Sequence, residues 1–172
     1  FVIPKDINNF RDIPFDKDVL KAYYVGKEEN IMKEENIMGA IILKWIKENK
    51  VEMVPTEKDG ILDFNKDDNY YIDITKLQNL PNNIEANLAS ILNVASNNSG
   101  KVKPKDFEKY SQNHYDKIEK WLDDVEDYSK NLLINEGYII AGEENYSKNG
   151  KRKVYKFTAK LRDEFIKLKG LK

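Results

Sequence analysis

The sequence predicts an α+β fold, mostly helical, made of two helix-plus-hairpin units. Three observations predict it. An apolar helical stretch runs straight into a β-branched strand at 39–54, GAIILKWIKENKVEMV, and a charged hairpin continues to about Ile74. The same layout returns at 128–140, YSKNLLINEGYII, with a hairpin reaching Phe157. Apolar residues make up 40% of the chain and charged ones 34%, enough for a core beneath a well-solvated surface. Helix, strand, wing and strand is the order of a winged-helix unit, so the chain reads as tandem winged-helix-like units with short antiparallel wings. At 172 residues it suits one compact domain or two small ones that share burial. The expected organisation is an extended segment over 1–15, a first unit over 16–80 and a second over 81–172, with the boundary at Pro81–Asn83.

The elements follow in order. Pro4 and Pro14 keep the start irregular. Asp16 caps a helix to about Val25 with Val19, Leu20, Tyr23 and Tyr24 as its stripe, and Gly26 is its stop. EENIM then occurs twice, at Glu28–Met32 and Glu34–Met38; the six-residue offset fits no helical turn and reads as a slippage repeat in one corner. The helix from about Lys33 to Asn49 is apolar on more than one stripe (Ile37, Met38, Ile41, Ile42, Trp45, Ile46), which marks it as largely buried. Strands are expected at Val51–Pro55, Ile61–Phe64 and Tyr70–Ile74. Thr75 and Gln78 have capping-box spacing, but Pro81 limits them to a short turn. Asn82 caps the next helix, with Glu85 three residues on and Leu88, Ile91, Leu92 and Val94 inward. Asn97–Gly100 is a loop. Pro104 takes a first-turn position in a helix over about 103–112. A long amphipathic helix covers about 115–135, carried by Ile118, Trp121, Leu122, Val125, Tyr128, Leu132 and Leu133, and Gly137 ends it. Strands at Tyr138–Ala141 and Val154–Phe157 flank a polar tip, and Thr158 caps a last helix.

The chemistry points away from catalysis. His114 is the only histidine, which excludes histidine pairs and multi-histidine metal sites, and its context reads as a surface or capping residue. There is no cysteine, so disulfides and thiolate sites are impossible and a reducing compartment is favoured. No glycine-rich phosphate loop or nucleophile elbow is present. Asp67–Asp68, Asp123–Asp124 and Glu143–Glu144 are adjacent carboxylates that read as solvated faces. Asp63, Asn65, Asp67 and Asn69 have the look of a calcium loop, but its sixth and twelfth positions hold Asp68 and Ile74 in place of glycine and glutamate. No catalytic residue, cofactor or metal is therefore expected.

Charge tests the DNA-binding reading. The 29 basic and 30 acidic residues leave a net charge of −1, without the basic excess usual for a nucleic-acid binder. The first candidate recognition helix opens Lys33-Glu34-Glu35-Asn36. The second carries Asp116, Glu119, Asp123, Asp124, Glu126 and Asp127 against Lys117, Lys120 and Lys130. Phosphate repulsion disfavours both as groove readers. The second wing differs. Lys148, Lys151, Arg152, Lys153 and Lys156 lie within nine residues without an acid among them, a candidate contact for phosphate or anionic lipid; the plainer reading is a solvated hairpin tip. Trp45 and Trp121 belong to apolar faces, and Tyr70, Tyr71 and Tyr155 are the only faint stacking candidates.

Several pieces then fall into a familiar order: Phe10-Arg11-Asp12-Ile13-Pro14, GAIILKWIKENKV at 39–51, Glu136-Gly137-Tyr138-Ile139, and the ending Leu168-Lys169-Gly170-Leu171-Lys172. Together they resemble the cytoplasmic domain of the DUF2207 family of predicted bacterial membrane proteins. The resemblance implies a fragment that follows an extracytoplasmic region and a transmembrane helix, lying on the cytoplasmic side of the cell membrane, and the start at Phe1 fits a piece of a longer protein. The family has no assigned activity, so no functional residue is carried over. Many members place a hydrophobic membrane hairpin near Gly142–Lys153; here that segment is hydrophilic. No run approaches the ~20 apolar residues of a membrane span, and no signal peptide is visible. The expectation is a non-catalytic interaction or regulatory module whose partner is a protein, with peripheral contact to anionic membrane at the second wing. The alternative is a DNA-binding winged-helix transcriptional regulator.

Overall fold

A computed structural model describes residues 18–28, 30, 32–56, 70–147 and 150–162, with the backbone alone over 141–157. The chain is α+β and mostly helical. In order, α1 is Val19–Glu28, α2 Asn36–Lys47, β1 Glu52–Pro55, β2 Tyr70–Asp73, α3 Asn83–Ala95, β3 Lys101–Val102, α4 Pro104–Asn113, α5 Tyr115–Asn135, β4 Ile139–Ser147 and β5 Gly150–Phe157. A helical turn follows at 159–162. The expected strand at Ile61–Phe64 and the calcium-like run Asp63–Asn69 lie outside the described residues.

Two compact units divide the chain. The described part of the first is 34–124, and that of the second is 18–33 with 125–162. In the first unit β1 and β2 form an antiparallel hairpin (Met53 opposite Ile72, Val54 opposite Tyr71). The short strand β3 adds to β2, with Ile72 opposite Val102 and Asp73 opposite Lys101. The order β1-β2-β3 therefore crosses the boundary expected at 80/81, because β3 lies between α3 and α4. Ile37, Ile41, Ile42 and Trp45 of α2, Ile72, Leu88, Leu92, Val102 and Trp121 are buried.

Local chemistry sets the helix ends of this unit. Asn82 accepts the Glu85 amide at 2.9 Å, as a helix N-cap should. Pro104 occupies the first turn of α4, and the Lys103 amide donates to Asp106 Oδ2. Helix α2 begins at Asn36, so Lys33, Glu34 and Glu35 precede the helix they were expected to open. It ends through Asn49, whose φ of 59° lets the Lys50 amide return to the Trp45 carbonyl. Asn97 and Asn98 adopt left-handed angles after α3 in the same way. Val94, expected inward, is 55% exposed. It follows the helical period but stands in the last turn of α3, outside the buried set of Ile84, Leu88 and Leu92.

The second unit packs α1 on the later part of α5. Asp18 caps α1, accepting the Leu20 and Lys21 amides. Gly26 does not stop the helix. It lies inside α1, and a Cβ there would come within 2.7 Å of Met32 Cγ, so glycine admits the methionine. Lys21 pairs with Glu136 and Lys27 with Glu126 (3.2 Å), so α1 runs antiparallel to α5. Ala22, Tyr24, Val25, Leu133, Ile139 and Leu161 form the core, with Met32, Ile134 and Tyr138 against it. Thr158 does not cap with its hydroxyl; it donates to the carbonyls of Gly137 and Tyr138, and Lys160 donates to that of Glu136. The carbonyls of the segment just after α5 thus gain partners from the chain leaving β5.

Two predictions follow from this packing. Gly100 (φ +72°) has Thr75 Cγ2 within 2.6 Å of where a Cβ would stand, whereas Gly137 (φ +80°) has open space. Gly137→Ala should cost about 1–2 kcal/mol, the left-handed penalty alone, and Gly100→Ala more, as read by urea unfolding; equal costs would remove the steric argument. The second concerns pH. Burial pulls the Lys21 amine down, but the Glu136 hydrogen bond and the Asp18 and Glu136 charges outweigh it, so its pKa lies above 10.5. A raised folded-state pKa stabilises fully below the unfolded value and the gain is lost as pH rises through the folded one. The melting-temperature gap between wild type and Glu136→Gln should hold from neutral pH to 10.5 and shrink above it.

Candidate functional site

Three places concentrate polar chemistry: a buried carboxylate in the first unit, the surface of α4 and α5, and the β4–β5 ribbon.

Glu85 sits in the first turn of α3 and is almost fully buried, at 2% exposure. Its Oε1 accepts the Trp45 indole N–H at 2.7 Å. Lys44 Nζ donates to both carboxylate oxygens at 3.2 Å, and Asn82 Nδ2 donates to Oε2 at 2.9 Å. The sequence spacing Asn82–Glu85 had marked a helix start, but not the contact to α2 some forty residues back. A carboxylate with both oxygens occupied by protein donors is a structural anchor, with no lone pair aimed at a substrate. Trp121 plays a matching part: its indole N–H donates to the Ile84 carbonyl at 3.0 Å.

On the surface of α4 and α5, His114 is exposed and forms the C-cap of α4, with its amide donating to the Tyr110 carbonyl. Its ring lies 4.7 Å from that of Tyr110. Burial pushes the Tyr110 phenol up, with help from the nearby Asp116 charge. Asp116, Glu119, Asp123 and Asp127 are exposed along α5. Of the facing bases, Lys120 is tied to Asp124 at 3.0 Å and Lys130 to Asp127 at 3.7 Å. Asp123 and Asp124 do not act together, since one is exposed and the other is paired to Lys120. Among the described residues no group of three metal-ligating side chains converges, and no helix is long and apolar enough to cross a membrane.

Four of the five basic residues singled out in the second wing fall on the β4–β5 ribbon. Lys151, Arg152, Lys153 and Lys156 all lie on β5, and Lys148 lies outside the described residues. The register adds what a count of bases could not. Glu143 stands opposite Lys153 and Glu144 opposite Arg152, whereas Lys151 faces Asn145 and Lys156 faces Ile140. Two of the four bases thus have acids as direct cross-strand neighbours, and two do not. The signal was available: a tight hairpin centred near residue 148 pairs positions whose numbers share a constant sum. Among the described residues β4 and β5 form a two-stranded sheet.

Comparison with family models, characterised proteins and solved structures finds no match. The chemistry of the chain itself must carry the functional reading.

Glu85 gives a direct test. Glu85→Ala leaves the Trp45 N–H and the Lys44 ammonium without their acceptor, which should cost about 3–5 kcal/mol. Glu85→Gln keeps an acceptor for the indole and should retain part of that stability. Urea unfolding followed by tryptophan fluorescence measures both, and a loss under about 1 kcal/mol for the alanine variant would remove the anchoring role.

Proposed function

We propose that this chain is a non-catalytic interaction module of a membrane-anchored protein, lying on the cytoplasmic side and binding another protein through winged-helix-like units. The observation that carries the reading is the exposed face of α5. Its four exposed carboxylates, with its bases partly tied to acids of the same helix, present negative charge where a groove-reading helix would need positive charge. The membrane-anchored parent rests on the resemblance to the DUF2207 family. The winged-helix reading is supported by the order α3–β3–α4–α5 with β3 laid beside a hairpin, although that hairpin, β1–β2, precedes the helices in the chain.

A DNA-binding regulator is the second reading, favoured by the four bases of β5. The two readings part on one measurement. In fluorescence anisotropy with labelled duplex DNA near physiological salt, the module should bind no tighter than the roughly 1–100 μM of nonspecific contacts. Tighter binding with a steep salt slope, weakened by Lys151→Glu with Lys156→Glu, would replace the protein-binding reading with the DNA-binding one.

A further inference from the structure

The β4–β5 ribbon is long for a two-stranded sheet, nine residues against eight. An isolated hairpin of this kind is marginal in water, and a strand edge with unpaired N–H and C=O groups is a template for another strand. Among the described residues no third strand joins either side. The two edges differ in charge. β4 holds Glu143 and Glu144 and no base; β5 holds Lys151, Arg152, Lys153 and Lys156 and no acid. Strand alternation assigns 151 and 153 to one face of the ribbon and 152 and 156 to the other. A strand laid along β5 would therefore have basic cross-strand neighbours on both faces. Opposite charges at such positions attract and like charges repel.

We propose that the outer edge of β5 is a strand-addition site for an extended acidic segment of a partner protein, completing a three-stranded sheet. The inference rests on the protein-binding reading above and names its surface and the chemistry of the partner. Main-chain hydrogen bonds to β5 supply the affinity, and acidic residues in the added strand select the β5 edge over the β4 edge, where Glu143 and Glu144 repel them. The same rule disfavours a symmetric pairing of two copies through this edge, which would set β5 bases against β5 bases.

The test uses the whole chain and an acetylated, dye-labelled peptide of alternating glutamate and valine as long as β5, read by fluorescence anisotropy. A control peptide with the same charge carries an N-methyl group on every amide, which blocks both hydrogen-bonding edges. Lys151→Glu with Lys156→Glu is the variant of choice, because neither residue faces an acid in the ribbon and the Glu143–Lys153 and Glu144–Arg152 pairs are left intact. Saturable binding of the plain peptide is expected, at least about tenfold weaker for both the N-methyl control and the variant. Retention of the wild-type far-ultraviolet dichroism and melting temperature shows that the variant is folded. If the variant does not fold, the N-methyl comparison on the wild type decides alone. Equal binding of the two peptides would overturn strand addition, since charge alone would then explain the contact. So would absence of peptide binding combined with binding to phosphatidylserine vesicles, which would assign the bases to phosphate. Concentration-dependent self-association in sedimentation velocity, abolished by the same variant, would assign the edge to a second copy and overturn the proposal equally. Loss of peptide binding without DNA binding removes this inference and leaves the protein-binding reading in place; tight DNA binding removes both.

Discussion

A single carboxylate organises the first unit. Glu85 is taken out of water in the opening turn of α3, and a charge so placed is tolerated only when donors surround it. Three provide that shell: the Trp45 indole and the Lys44 ammonium from α2, and the Asn82 amide from the cap of Glu85's own helix. Because the shell draws on both helices, α2 and α3 are held in one register. Asn82 does double duty, accepting the Glu85 amide while donating to its side chain. The Trp121 bond to the Ile84 carbonyl then fixes the start of α5 against the residue next door. Each apolar contact of the unit is non-directional, so these few directional bonds select one packing among several of similar apolar burial.

The second unit obtains its specificity differently. Its ion pairs, Lys21 with Glu136 and Lys27 with Glu126, flank the apolar contact of α1 with α5 at both ends. Between them Ala22 and Gly26 on α1 and Ser129 on α5 are buried beside the larger Tyr24, Val25 and Leu133. The Ser129 hydroxyl has no hydrogen-bond partner, a local cost to this packing. Gly26 leaves room for Met32 beside α1.

Much of this was legible in the sequence where a local rule decides the outcome. The span of α5 follows from its apolar period, the start of α3 from Asn82, and the start of α4 from Pro104. Strand β3 was not legible. Two residues, Lys101 and Val102, carry no period of their own, and their strand character comes wholly from pairing with β2. Gly26 misled because its usual meaning, a helix stop, gave way to a packing demand from six residues downstream. Lys33-Glu34-Glu35 were placed one turn too deep because α2 starts without a side-chain cap to mark it. For the candidate site, the bases of β5 were visible as a run, but the acids opposite two of them needed the register. The burial of Glu85 depends on α2, distant in sequence, and no local pattern announces it.

The division of the chain has a temporal side. The described residues of the first unit are consecutive from 34 to 124, whereas the second unit gathers its members from both sides of that block. During synthesis residues 34–124 are made before Leu133, Ile139 and Leu161, the distant core partners of α1. Val25 and Leu133, neighbours in one core, are separated by more than a hundred residues, which at translation rates of about 5–20 residues per second means a wait of roughly 5–20 s. For that interval the apolar face of α1, with Tyr24 and Val25, lacks Leu133, Ile139 and Leu161. A nascent chain built this way offers chaperones a binding segment until Leu133 and Ile139 have followed. The fold hides that segment only once residues from both sides of the first unit have met.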